Sequence, residues 1–199
     1  MQSEKSWRAV SRGLRALLLV LLPCAGSAVA APRLGLAVGP ALTLTGAVDP
    51  GATVRGQLLT GGAFPVHVGV EGGLTLFPGR AVEERCTDAT CAHLVVTDRA
   101  TDALWHLGFA VRAESAAGWR PFFSGQLGYV ATVRYGAEHP ESDGHGASLS
   151  LGGGVRPWAL GERCRLGLEA SVQGLALTFG DEGGGVGALG SLTAVLDFD

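Results

Sequence analysis

The strongest constraint on this chain is an alternation. Between residues 33 and 198, apolar side chains recur at every second position in eight successive segments. Side chains of a β-strand point in turn to its two faces, so a period of two marks strands whose faces meet different surroundings. In 33–44 the residues Leu34, Leu36, Val38, Leu42 and Leu44 share one face. The same pattern runs through 52–60, 65–77, 103–114, 119–135, 147–156, 163–179 and 186–198. No apolar stripe with a 3.6-residue repeat follows residue 30. The phase slips near Gly174, which predicts a bulge in the seventh segment. The chain is therefore expected to be all-β, with eight strands in an antiparallel up-and-down order.

The two faces decide what surrounds the sheet. One is rich in Gly and Ala and carries isolated polar groups: Arg33, Arg55, His67, Glu71, His106, Arg112, Glu114, Arg120, Gln126, Arg134, Arg156, Arg165, Glu169 and Asp197. Gly is poor strand material and marks close backbone approach, which suits a crowded, narrow lumen better than a solvated surface. The other face is built from Leu and Val, with Trp105, Trp119, Tyr129, Tyr135 and Phe198 near strand ends. An apolar outer band flanked by aromatic girdles, around a polar interior, is the pattern of a transmembrane barrel. Ten residues at about 3.3 Å each, tilted near 45°, climb roughly 23 Å, close to the apolar band of about 25 Å such a barrel presents. Closure is required, because an open sheet edge in lipid leaves backbone groups unsatisfied. A soluble secreted barrel that binds a small ligand is the alternative, with the same apolar face turned into a core.

The first thirty residues fix the compartment. Lys5, Arg8, Arg12 and Arg15 form a basic region that overlaps the start of the apolar run Leu14–Leu22, and Ala28-Val29-Ala30 forms an A-x-A cleavage site. This predicts a secretory signal peptide over 1–30 and a single domain over 31–199. Cleavage takes those four basic residues and Glu4 out of 15 basic and 18 acidic ones, leaving a charge near −6. An acidic chain of this kind is no nucleic-acid binder. In an exported chain "CTDATC" reads as a small loop closed by a Cys86–Cys91 disulfide. A zinc site would need about four ligands and has only His93 nearby as an addition. Cys164 is left without a role.

With signal peptide, eight alternating segments, short and long connections in turn and Phe198 near the end, the sequence resembles the small eight-stranded bacterial outer-membrane barrels, the OmpA/OmpX-like class. The resemblance covers Arg33 to Asp199 and rests on this general pattern. It departs at the end, where Asp199 follows the aromatic that usually closes such chains. It implies the outer membrane of a Gram-negative bacterium, both termini in the periplasm, and loops 45–51, 78–102, 134–146 and 180–185 outside the cell. The expected function is structural or surface interaction without catalysis, in contact with outer-membrane lipid, with a partner met through loops 78–102 and 134–146. A barrel handling a lipid or small solute, porin-like in that sense, or a lipid A-modifying enzyme, is the alternative.

No cofactor or metal is expected. "GVGALG" (Gly185, Gly187, Gly190) imitates a dinucleotide fingerprint but lies in a strand nine residues from the chain end. The acidic stretch Glu138–His145 lacks diagnostic ligand spacing. His145 and Ser148, the best pair for hydrolysis, differ in parity and so fall on opposite faces. Inside, charges must be paired to be tolerated. The tight turn at 61–64 places Arg55 opposite Glu71 and within reach of Arg112, and barrel closure places Arg33 beside Asp197.

Overall fold

The computed structural model describes residues 30–46, 48–61, 65–86, 94–135, 144–179 and 183–198. Among them are eight strands: β1 (Ala30–Thr43), β2 (Pro50–Gly61), β3 (Val66–Cys86), β4 (Leu94–Glu114), β5 (Phe122–Tyr135), β6 (Gly144–Ala159), β7 (Cys164–Phe179) and β8 (Gly184–Phe198). Each pairs antiparallel with the next, and β8 pairs with β1, closing the sheet into a barrel. This is the all-β, up-and-down order read from the alternation. Residues 1–29, which hold most of the expected signal peptide, lie outside the described residues.

The register fixes the barrel's geometry. Partners followed once around the sheet run from Arg33 through Leu59, Gly69, Ala110, Gln126, Ser150, Gln173 and Leu189 to Thr43. The path returns to its own strand ten residues further along. With about 3.3 Å per residue and about 4.8 Å between strands, that stagger tilts the strands roughly 40° from the barrel axis. Each step around the sheet therefore also climbs toward the end where β3 and β4 are joined.

Three local expectations are corrected. The segment 78–102 is mostly strand. The β3–β4 ladder continues as a two-stranded ribbon to Cys86 opposite Leu94, through irregularities after Phe77, Ala81 and Glu83. Its charged sequence does not alternate, because a ribbon standing beyond the barrel wall has no apolar surroundings to match. The fifth strand begins at Phe122 rather than at residue 119. Pro121 has no N–H for the ladder, and Arg120 sits in the turn at φ 44°, half-buried and outside the strand's inward row. There Trp119 O accepts a bond from Arg156 N (2.9 Å), tying the turn to β6. Near Gly174 the register runs unbroken on both sides of β7. The shift in β6 falls instead between Val155 and Trp158.

The apolar face points outward. Leu36, Val54, Phe109, Leu127, Leu151 and Val172 are all exposed on the barrel's outside. Followed through the register, Trp105 and Tyr129 stand toward the ribbon end of this apolar band, and Phe198 lies at the end carrying the termini. Trp119 projects from the turn at that same end, where Phe123 and Trp158 add exposed rings. Tyr135 is exposed opposite Thr101, higher than the other aromatics.

Candidate functional site: the barrel interior and its outer mouth

The inward row of each strand meets the others across a narrow lumen, and the residues fall into layers. At the end carrying the termini, Arg112 Nη1 donates to both Asp197 oxygens at 2.9 Å. Arg156 Nη1 donates to Asp197 Oδ2 at 2.7 Å, and its Nη2 lies 2.6 Å from Glu114 Oε1. Arg33 Nη1 donates to Glu114 Oε2 at 3.0 Å and stands 3.1 Å from His67 Nε2. Phe122 is wedged among them, with the Arg112 and Arg156 guanidinium carbons 4.7 and 5.2 Å from its ring centre. Planar guanidinium groups suit this place because each offers a fork of donors to two acceptors and a flat face to a ring.

One layer further in, Arg55 Nη2 donates to Glu169 Oε2 (3.0 Å) and to Thr193 Oγ1 (3.1 Å), with Glu71 Oε1 3.6 Å from its other terminal nitrogen. Gln57 joins the two layers. Its Nε2 donates to Glu71 and its Oε1 accepts from Arg112 Nη2. Ser124 Oγ donates to Glu169 Oε1 at 2.6 Å. Arg55, Arg112, Arg156, Glu71, Glu114, Glu169 and Asp197 are all buried.

Two expected pairings are corrected by this geometry. Glu71 stands opposite Gln57, not Arg55, whose partner across the ladder is Gly73. The Arg55–Glu71 contact is diagonal, and Arg112 reaches Gln57 and Asp197 instead of Glu71. Arg33 pairs with Glu114 rather than with Asp197. The β1–β8 register sets Asp197 opposite Gly35. A Cβ on Gly35 would stand 2.7 Å from Asp197 Oδ1, so the glycine makes room for a carboxylate already held by two arginines.

Above these layers the interior turns apolar. Phe77, Leu104, Val130, Leu175 and Leu189 form a buried cluster against which Leu177 packs. All five occupy inward positions of their strands, and together they make a collar across the lumen. It stands at about the height of Trp105 and Tyr129. The collar was missed in the sequence, although parity puts each of its residues on the inward row. Leu104 shares its row with His106 and Arg112, Val130 with Gln126 and Arg134, and Leu189 with Asp197. The apparent phase slip near Gly174 has the same origin. Leu175, Leu177 and Phe179 stay on the inward row of β7, and only the lumen's polarity changes.

Beyond the collar lies an open cavity of about 380 Å³, lined by Leu177, Phe179, Leu175, Phe77 and Leu104. Its rim carries Arg134, whose Nε donates to Asp102 Oδ1 at 2.7 Å and whose Nη2 donates to Oδ2 at 3.1 Å. Arg134 thus stands at the mouth and not within the inner ion-pair layers. Arg165, opposite Ala159 and Asp197 in the ladders, is half-buried at the other end. Ser148 is buried inside, whereas His145 faces out against the Tyr129 ring, 6.4 Å between centres. Cys91 and the stretch Glu138–Asp143 lie outside the described residues. Cys86 ends β3 opposite Leu94, and Cys164 is a free, half-buried thiol.

No family model and no curated protein matches the sequence. Among solved structures, the barrel superposes on the crystal structure of Neisserial surface protein A with a TM-score of 0.60 at 11% identity. The match covers 86% of this chain and 99% of that one. The fold is that of a small outer-membrane barrel. At this identity the likeness is one of architecture and carries no residue-by-residue correspondence.

Proposed function

We propose that this chain, once residues 1–30 are removed, is a non-enzymatic barrel of the Gram-negative outer membrane that conducts neither ions nor solutes and meets its partners at the ribbon end. The observation that carries the reading is the filled interior. Two layers of interlocked ion pairs and a collar of five apolar side chains follow one another across the lumen. Eight-stranded barrels have an interior just wide enough for side chains to fill. In this reading the termini lie in the periplasm, the 78–102 ribbon and the 134–146 connection reach outside the cell, and a Cys86–Cys91 bridge closes the ribbon's tip. Reconstitution into planar lipid bilayers tests it. The expected result is a flat current trace after incorporation, and discrete conductance steps would overturn the non-conducting reading.

The mouth cavity favours a second reading, that of a barrel which takes up a lipid-like molecule. An apolar hollow of about 380 Å³ is of ligand-site size, and the Arg134–Asp102 pair offers a polar anchor at its rim. A medium-chain fatty acid is expected to bind the barrel in non-competing lipid. Leu177→Arg, which puts a charge where the chain would lie, is expected to weaken that binding by roughly tenfold or more. Equal binding by the wild type and the variant in equilibrium dialysis would remove the mouth from consideration.

A further inference from the structure

Beneath the collar the barrel encloses a chamber that the ion pairs leave open. Arg55, Glu71, His106, Gln126 and Gln173 face it, and Leu189 closes it on the collar side. The space open to water-sized molecules is about 20 Å³, which suits one or two waters. Several polar atoms at this level are buried without a hydrogen-bond partner. They include both side-chain polar atoms of Gln126, Nε2 of Gln173, Nε of Arg55 and the two ring nitrogens of His106. His106 Nε2 stands 3.5 Å from Glu71 Oε1, an ion-pair contact too long for a well-formed hydrogen bond. Gln126 and His106 are 4% and 5% exposed, so bulk solvent does not reach them. Buried polar groups are almost always met by protein or by ordered water.

The chemistry of these atoms selects the occupant. A cation needs acceptors, and the orphaned atoms supply chiefly donors, with Gln126 Oε1 and one ring nitrogen as exceptions. An anion would find donors but also the carboxylate of Glu71, which faces the chamber. Charge is already matched at its wall, where Arg55 and Glu71 line the chamber as one cation and one anion in contact. A neutral molecule that both donates and accepts meets every requirement, and at this size that molecule is water. We propose that the chamber is a binding site for resident water held by Gln126, Gln173, His106 and Arg55. The apolar collar seals it from the mouth, and the Arg112–Asp197–Arg156 layer seals it from the opposite end.

The mature chain offers a clean readout, because its glutamines are Gln57, Gln126 and Gln173 alone. The folded protein in lipid nanodiscs, labelled with ¹⁵N-glutamine, is examined for magnetisation transfer between water and the side-chain amides. Gln126 and Gln173 are expected to show cross-peaks with the sign of a long-lived, immobilised water. Gln57, whose amide donates to Glu71, is expected to show none. Ser150→Ala must leave the signals in place, since their loss would mean relay through that hydroxyl and overturn the assignment. Gln126→Leu is expected to abolish the Gln173 cross-peak, and its survival at full intensity would refute a shared cluster. Silent Gln126 and Gln173 amides in the wild type would refute the proposal without recourse to any variant. Shifts of these two amides on adding bromide would refute it in favour of an anion site.

Discussion

Asp197→Ala is expected to lower the stability of the membrane-inserted barrel by about 3–5 kcal/mol, the range for breaking a buried ion pair from one side. The carboxylate accepts from Arg112 at 2.9 Å and from Arg156 at 2.7 Å, and all three groups are buried. Its removal leaves two guanidinium groups in the lumen with one shared neighbour, Glu114, to satisfy them. Asp102→Ala also breaks a bidentate arginine pair, but the side chains at the rim are 18% and 25% exposed. Water replaces the lost carboxylate there, and the loss should be about 1 kcal/mol or less. Urea unfolding in lipid vesicles, followed by the mobility of unboiled protein on gels, separates the two. Adding Arg156→Met to Asp197→Ala should recover part of the loss, because the second change removes one uncompensated charge. Equal midpoints for Asp197→Ala and Asp102→Ala would mean that the inner layer is hydrated like a surface.

Leu151→Arg carries the second large effect, a loss of about 2–4 kcal/mol if the outward face meets the middle of a bilayer. Leu151 is 63% exposed and lies between Gly125 and Val172 in the ladders, far from either end of its strand. Leu34→Arg, at the rim beside Phe198, should lose about 0–1 kcal/mol, since an arginine there reaches the interface. A gradient with depth is the signature of lipid. On a water-facing surface both substitutions would stay within about 0.5 kcal/mol, and that result would overturn the placing of this face in a bilayer.

The fold was legible because two environments on either side of one sheet leave a period of two in the sequence. Eight such segments appear, and eight strands close in the order they predict. What was not legible is vertical. Alternation reports which side of the wall a residue occupies and says nothing about depth along the axis. Leu104 and Val130 were therefore passed over inside a lumen read as uniformly polar, and Leu175 was explained as a bulge. Pairing partners failed for a related reason. Arg33 and Asp197 do sit on adjacent strands, but two residues of stagger, and competition from Arg112 and Arg156, gave each a different partner. The ribbon escaped because its residues answer to no apolar surroundings, and its strand character rests on ladder bonds that leave no pattern in side-chain type.

That ribbon divides its end of the barrel by height. Cys86 lies nine steps along the chain from Phe77. At about 3.3 Å each, and at the strands' tilt, Cys86 stands on the order of 20 Å above the collar. On the reading proposed above, a protein partner would meet the ribbon before it reached the hollow behind it. A slender ligand of the kind proposed for the mouth would instead bind below that level, against Leu177 and Phe179. Under the two readings proposed above, one end of one small barrel would offer two separate addresses, sorted by the girth of the visitor.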